Sequence, residues 1–226
     1  MKIAIYTCIT GNYDNVLQPK CIENNCDYFL ITETPPKELG VYRWINVNEV
    51  ISQNDLSPKD KNRYCKMHPF ELFPDYDYSI YLDGSVQIIR EITHYTTKVG
   101  TIGLAMHRHR KSNDIYSESI FLSWLGAVDK QNLLIDMKRY MEEGFPKQYG
   151  QFECGMIVTD LHNSKAHELY INWYNEYMRS SKRDQQSLVY ILWHMGYNAE
   201  VIGSLSEKYN IGTNPDIHWF RGSHYK

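Results

Sequence analysis

The chain has 226 residues, of which 42% are hydrophobic and 23% charged, and its formal net charge is −3. This composition is ordinary for a globular protein, and the length suits one α/β domain spanning residues 1–226. The weak negative charge gives no general attraction to nucleic acid, which is therefore excluded as an expected partner. No apolar run is long enough to span a bilayer, so no transmembrane segment is expected.

The cysteine pattern favours a reducing compartment. The chain has five cysteines, an odd number, and no two of them form a Cys-x-x-Cys pair. Free thiols of a cytoplasmic protein are therefore expected rather than disulfides or a zinc site. The first predicted strand begins almost at the N-terminus, which leaves no room for a signal peptide. Any membrane association is expected to be peripheral, at the inner face and through partners.

Predicted strands and helices alternate along the chain. Residues 2–10 are a continuous β-rich run, typical of a central strand buried on both faces. Further strands are predicted at residues 28–32, 42–47, 101–106, 152–159 and 199–202. Helices are predicted after Ser57-Pro58, within residues 114–143 as two pieces divided near Gly126, and at residues 162–179 and 183–195. This alternation predicts a mainly parallel, helix-covered sheet.

Residues 76–85, with the sequence YDYSIYLDGS, are the most informative segment. Their apolar, aromatic-rich run predicts a buried strand that ends at Asp83 and is followed by Gly84 and Ser85. A carboxylate at the carboxyl edge of a sheet can hold a divalent cation against a phosphate-bearing ligand. Asp-Gly after a hydrophobic run is also a common turn signal, so the segment alone leaves both interpretations open.

Six segments in a fixed order resemble glycosyltransferases of the GT-A type. They are residues 6–14 (YTCITGNYD), 63–66 (RYCK), 72–85 (LFPDYDYSIYLDGS), 107–109 (HRH), 152–155 (FECG) and 181–187 (SKRDQQS). More narrowly, they resemble the former domain-of-unknown-function family that is grouped with plant mucilage-related glycosyltransferase-like proteins. The resemblance implies a Rossmann-like α/β fold, with a mainly parallel sheet covered by helices on both faces.

The resemblance also implies a reaction. A hexosyltransferase-like enzyme would move a sugar from a nucleotide-diphosphosugar donor to a glycan or lipid-linked acceptor, in surface polysaccharide biosynthesis. Asp83 would bind Mn²⁺ or Mg²⁺ as the Lewis acid beside the diphosphate. Ser85 stands in place of the usual second carboxylate, and His218 would complete the metal shell. The tail resembles the ending of some retaining enzymes, in which Lys226 would hold phosphate.

The same resemblance assigns the nucleotide contacts. Thr7, Thr10, Asn12 and Asp14 belong to the loop that would cradle the nucleoside. The alternative is a turn in which Gly11 supplies backbone freedom and Asp14 caps a helix.

A pair of basic residues stands on the helix that follows. Arg63 and Lys66 are three residues apart on one predicted helix face and would contact the nucleotide. A solvated surface pair is the alternative.

Two carboxylates are candidates for the catalytic step. Glu153 would act as the general base of an inverting transfer, or it would be a buried acid paired with an Arg or Lys. Asp184 and Gln185 would grip the donor sugar, although Asp184 also suits the first turn of a helix on capping grounds alone.

Two other functions remain open on sequence. One is a non-catalytic nucleotide- or sugar-binding module of the same fold. The other is a hydrolase acting on a lipid amide or a glycan, which is disfavoured because the sequence has neither a nucleophile elbow nor a zincin helix.

Overall fold

Strands and helices alternate in the computed structural model, which describes residues 1–52, 55–109, 112–125 and 129–220. The strands of this part of the chain are β1 (Ile3–Cys8), β2 (Cys26–Thr32), β3 (Arg43–Asn46), β4 (Tyr78–Leu82), β5 (Val86–Ile88), β6 (Leu104–Arg108), β7 (Phe152–Asp160), β8 (Gly203–Ser204) and β9 (Ile217–Trp219). The α-helices are α1 (Val47–Val50), α2 (Pro58–Met67), α3 (Pro69–Leu72), α4 (Ile115–Leu125), α5 (Lys130–Glu142), α6 (Ser164–Arg179) and α7 (Asp184–His194). Two 3₁₀-helices lie at Thr93–Lys98 and Ala199–Val201.

Seven strands form one sheet in the order β3-β2-β1-β4-β7-β6-β8. β1 is parallel to β2 and β4, β2 to β3, and β6 to β8, whereas β7 is antiparallel to both of its neighbours. The predicted mainly parallel sheet is confirmed. Because β1 and β4 are adjacent and parallel, the loops that follow them meet at the same edge of the sheet.

Each face of the sheet has its own hydrophobic core. Successive side chains of a strand point to opposite faces, so Tyr6 of β1 packs among the α-helices and Ile5 packs on the other side. The helical layer contributes Trp173 of α6 and Leu188 of α7, both fully buried. The second face is covered by the 3₁₀-helix Thr93–Lys98 and by a two-stranded sheet of β5 and β9.

The helix predicted after Ser57-Pro58 is α2, and its start follows the expected chemistry. Pro58 occupies the first turn, and the Ser57 hydroxyl accepts a hydrogen bond from the Asp60 amide at 3.2 Å. In the described residues, every helix is too short or too polar to cross a bilayer.

The strand predicted at residues 199–202 is wrong. Asn198 accepts a hydrogen bond from the Glu200 amide and starts the 3₁₀-helix Ala199–Val201, so strand β8 begins only at Gly203. The short strands β5 and β9 were not predicted. Gly126, the predicted division between α4 and α5, lies outside the described residues.

β7 carries a bulge next to the end of β4. Met106 lies opposite Ile157, but the next residue of β6, His107, lies opposite Glu153. Residues 154–156 are therefore extra in β7, and a bulge of this kind re-aims the side chains beside it. Gly155 sits in the bulge, where its carbonyl accepts a hydrogen bond from the Asp83 amide at 2.9 Å.

His107 is buried as a neutral imidazole on the second face of the sheet. Its Nε2 lies 3.0 Å from Asn214 Nδ2, which can only donate, so Nε2 accepts and the ring proton is on Nδ1. Burial lowers the pKa of His107 to about 4. Protonation of the ring in the folded state is therefore unfavourable at mildly acidic pH.

We expect His107 to make the stability fall with acidification. Between an unfolded pKa of about 6.5 and the folded value of about 4, the unfolded chain binds more protons, so the free energy of unfolding falls by up to about 3 kcal/mol as pH falls through that window. Urea unfolding of His107→Gln between pH 4 and 7 should show a weaker pH dependence than the parent chain, with His94→Gln as the exposed control. Parallel curves for parent and His107→Gln would contradict this.

Candidate functional site

A pocket of about 410 Å³ opens where the loops after β1 and β4 meet the start of α2. It is lined by Cys8, Ile9, Thr10, Gly11, Tyr13, Asp14, Pro58, Lys59, Asn62, Arg63, Asp83, Gly84, Ser85 and Arg183. The volume is within the range of small-molecule sites, about 300–1,000 Å³. Its place at the carboxyl ends of parallel strands is where open α/β sheets bind ligands.

Behind the pocket lies a lysine with no exposed surface. Lys66 Nζ is 3.0 Å from Asp83 Oδ1 and 2.9 Å from Asp184 Oδ2, and it lies 4.8 Å from the centre of the Tyr81 ring. The Tyr81 hydroxyl donates to the same Asp83 oxygen at 2.8 Å. Lys66 and Tyr81 thus bind Asp83 Oδ1 from the protein interior. The Asp83 side chain is 35% exposed and lines the pocket.

Asp184 is a buried carboxylate between two cations. Arg63 Nε lies 3.0 Å from its Oδ2, the oxygen that Lys66 also contacts. Burial alone would raise the pKa of Asp184, but the charges of Arg63, Lys66 and Arg183 outweigh burial and hold the pKa well below its usual range. A permanently ionised carboxylate of this kind is a poor general base.

The loop after β1 is fixed by contacts to neighbouring segments. The Thr10 hydroxyl donates to the Pro58 carbonyl at 2.5 Å, and the Gly11 amide donates to the Glu33 carboxylate at 3.0 Å. A Cβ atom on Gly84 would lie 2.8 Å from Asp14 Oδ2, so only glycine allows the Asp14 carboxylate to approach the turn after Asp83. The loop therefore brings a second carboxylate, Asp14, to the turn that follows Asp83.

The structure brings five of the predicted site residues to the pocket, namely Thr10, Asp14, Arg63, Asp83 and Ser85. The others that the structure describes, Thr7, Asn12, Lys66, Glu153, Asp184, Gln185 and His218, do not line it. Lys226 lies outside the described residues.

The predicted site residues that do not line the pocket lie in different environments. Thr7 is buried in β1, Asn12 is exposed in the loop, and Lys66 is sealed behind the pocket. Gln185 accepts a hydrogen bond from Arg183 at 2.9 Å. His218 is exposed on β9 opposite Gln87, with its ring 4.3 Å from that of Phe220.

Glu153 holds a loop on the second face of the sheet. Its Oε2 accepts a hydrogen bond from the Ile211 amide at 2.8 Å. A Cβ atom on the neighbouring Gly155 would meet the Ile211 side chain at 2.4 Å and Asp83 Oδ2 at 3.3 Å. The loop around Ile211 therefore packs directly against the bulge that supports Asp83. The general-base role of Glu153 stays a prediction.

Two pocket cations were not predicted. Lys59 stands one helical turn before Arg63, and this i, i+4 spacing was a readable signal that both lie on the same helix face. Arg183 lies within the SKRDQQS segment but was not singled out, because nothing local in the sequence shows that the start of α7 meets α2.

The donor set for a divalent cation is made of oxygens. Asp83, Asp14 and the Ser85 hydroxyl line the same pocket, and hard cations such as Mg²⁺ and Mn²⁺ prefer ligands of this kind. In the described part of the chain, no group of three His, Cys, Asp or Glu side chains is arranged to hold a metal. The pocket residues suit a cation whose coordination shell is completed by several water molecules. His218 does not line the pocket and is not one of these residues.

A profile of the family described as TOD1/MUCI70, glycosyltransferase-like domain, matches residues 1–208. The chain belongs to this family. No curated protein matches it.

Solved structures of glycosyltransferases share the fold. Mouse xyloside xylosyltransferase 1 in its apo form is similar with a TM-score of 0.59 at 9% identity, over 98% of each chain. The bifunctional glycosyltransferase WbbM has a TM-score of 0.57 at 12% identity, over 97% of this chain but only 46% of its own. The galactosyltransferase LgtC, solved with donor and acceptor sugar analogues, has a TM-score of 0.51 at 12% identity, over 97% of this chain and 87% of its own. The chain therefore has the GT-A fold.

We expect Asp184→Asn to destabilise the protein by about 3–5 kcal/mol, because it removes the carboxylate shared by Arg63 and Lys66 and leaves buried positive charge uncompensated. Urea unfolding measures this loss, with the exposed Asp75→Asn as the control. Adding Lys66→Met to Asp184→Asn should recover part of the loss, since the uncompensated ammonium is then gone. A loss below about 1 kcal/mol would mean that the ion pairs are not important for stability.

Proposed function

We propose that this protein transfers a sugar from a nucleotide-diphosphosugar to a glycan or lipid-linked acceptor. The observation that carries the proposal is the pocket at the carboxyl ends of β1 and β4, which the Asp83 carboxylate lines together with the cationic residues Lys59 and Arg63 of α2. A diphosphosugar carries both negative charge and hydroxyl groups, and it suits a pocket that offers cations and carboxylates together. Membership of a glycosyltransferase-like family and the GT-A fold support the same conclusion.

The transfer exchanges one bond at the anomeric carbon for another. The bond to the phosphate oxygen breaks with its electron pair staying on that oxygen, and the acceptor hydroxyl oxygen bonds to the anomeric carbon. The hydroxyl proton goes to a carboxylate base in an inverting transfer and to the departing diphosphate in a retaining one. Either course needs positive charge close to the diphosphate.

The pocket residues have distinct tasks in this proposal. The loop with Thr10 and Asp14 holds the nucleoside, and Arg63 contacts the diphosphate. Asp83, Asp14 and Ser85 would hold Mn²⁺ or Mg²⁺, which would supply Lewis-acid stabilisation of the leaving group. Lys66 and Tyr81 keep Asp83 in one orientation from behind.

The acceptor and pathway belong to the same proposal. Surface polysaccharide biosynthesis, in the cytoplasm or at the inner face of the membrane, supplies acceptors of the required chemistry, since sugar hydroxyls are the groups to be glycosylated. A non-catalytic binding module is the second candidate. It is favoured by one observation, that Asp83 Oδ1 is already engaged by Lys66 and Tyr81.

Asp83→Ala tests the proposed cation site. We expect the variant to lose the Mn²⁺-dependent part of its nucleoside diphosphate affinity and to remain folded, because Lys66 keeps its contact with Asp184. Calorimetric titration with and without Mn²⁺ measures the nucleoside diphosphate affinity, and thermal unfolding shows whether the variant is folded. Asp75→Ala is the control. Mn²⁺ dependence that is unchanged in Asp83→Ala removes Asp83 from the cation site.

Donor turnover separates the enzyme from the binding module. Candidate nucleotide-diphosphosugars are incubated with the protein and acceptor glycans, and released nucleoside diphosphate is measured. An enzyme releases it in step with glycosylated acceptor, whereas a binding module retains affinity for the donor and releases nothing.

Glu153 is tested by a pair of substitutions. Glu153→Gln keeps an oxygen that accepts from the Ile211 amide, so we expect its stability to stay close to that of the parent chain. Glu153→Ala should cost about 1–3 kcal/mol, because it leaves that amide without its acceptor. The turnover of the stable Glu153→Gln variant then tests whether Glu153 acts as the general base. A fall of about 10²-fold or more at unchanged donor affinity establishes that role, and turnover near that of the parent removes it.

A further inference from the structure

Three cationic side chains lie together on one wall of the pocket. Lys59 and Arg63 are four residues apart on α2 and therefore share a helix face. Arg183, the residue that precedes the first turn of α7, completes the group. Asp14, Asp83 and the turn after β4 line the pocket as well, so the cations face a wall that carries carboxylates and a hydroxyl.

The positive charge of this wall is only partly neutralised within the chain. Arg63 pairs with Asp184 at 3.0 Å and Arg183 with Glu118 at 3.3 Å, and among the ion pairs of the described residues none involves Lys59. Arg63 shares the Asp184 carboxylate with Lys66, which also pairs with Asp83. Desolvation at the pocket wall, together with the charges of Arg63 and Arg183, lowers the pKa of Lys59. Like charges held this close are stabilised by an anion between them.

One hydrogen-bond donor of these cationic side chains also lacks an acceptor among the described residues. Arg183 Nε is buried, and no described residue accepts a hydrogen bond from it. Helix α2 begins at the same place, since Pro58 and Lys59 both line the pocket, and the dipole of a helix favours negative charge near its N-terminus. The pocket therefore brings Lys59, Arg63 and Arg183 together at the start of α2, and such a group of cations suits a ligand with several anionic oxygens.

We propose that Lys59, Arg63 and Arg183 form the seat for the diphosphate of the ligand. A diphosphate matches the group because it carries at least two negative charges on several oxygens, whereas a sugar hydroxyl or a single carboxylate matches only part of it. Lys59 and Arg183 bind the anion directly. Lys66, by contrast, is sealed behind Asp83 and does not reach the ligand. The proposal rests on the proposed function, since it places the diphosphate of the donor.

The seat binds phosphate oxygens through protein cations, so its effect is measurable without a divalent cation. The probe is inorganic pyrophosphate, titrated calorimetrically into the full chain in the presence of EDTA. The parent chain should bind it, with an affinity that falls as salt is raised. Lys59→Met should weaken binding by about tenfold, the scale of one charge-assisted contact, and should reduce the salt dependence. Arg183→Met should weaken binding to a similar or greater extent.

Two control variants make the result specific. Lys61→Met removes a lysine of the same helix that donates to Asn48 and does not line the pocket, and Arg43→Met removes an exposed arginine that pairs with Asp27. Both should bind pyrophosphate as the parent chain does. If Arg183→Met fails to fold because Glu118 loses this ion pair, Lys59→Met decides alone.

The outcomes separate this inference from the proposed function. Pyrophosphate affinity that is equal in the parent chain, Lys59→Met and Lys61→Met overturns the seat, even where donor turnover establishes the transferase. Failure of the parent chain to bind pyrophosphate in EDTA also overturns it. Charge-dependent pyrophosphate binding without turnover of any donor supports the seat and removes the transferase.

Discussion

The buried ammonium of Lys66 connects the strand that ends at Asp83 with the helix that begins at Asp184. Transfer of such an ion from water costs several kcal/mol, and the two carboxylates at about 3 Å and the nearby Tyr81 ring offset this cost. The Tyr6 hydroxyl of β1 adds weak hydrogen bonds to the Cys65 and Lys66 carbonyls at 3.3 and 3.4 Å. Strand β1, strand β4 and helices α2 and α7 therefore share one polar centre. A buried ion pair contributes little net stability. Its main effect here is to fix the direction of the Asp83 side chain.

The antiparallel strand β7 completes this arrangement from the other side. A wholly parallel sheet would place another loop next to Asp83, but the bulge at residues 154–156 places the backbone of Gly155 there instead. The absence of a side chain at Gly155 allows both the Asp83 carboxylate and the Ile211 loop to come close. The mixed sheet thus supports the pocket edge with main chain rather than with a bulky side chain.

Much of the fold could be predicted from local signals. The strand before Asp83 is apolar and aromatic, and the helix at Ser57-Pro58 has both a capping hydroxyl and a proline in its first turn. Burial of Lys66 could not be predicted in this way, because its partner Asp184 is 118 residues distant. A lysine on a short amphipathic helix ordinarily faces solvent, and only tertiary packing reverses that. The tail motif predicts His218 as a metal ligand. The pairing of β9 with β5 instead places His218 opposite Gln87.

The pocket wall is assembled from segments that are far apart in the chain. They are the end of β1 with the loop that follows it, one face of the first turns of α2, the turn after β4, and Arg183 before α7. A partial opening that released either helix would dismantle the wall, so the binding-competent form is the fully assembled one. A bound ligand therefore holds α2 and the start of α7 together with the ends of β1 and β4. Its free energy of binding adds to the free energy of any opening that releases α2 or α7, so we expect the amide hydrogens exposed by that opening to exchange more slowly when the pocket is filled.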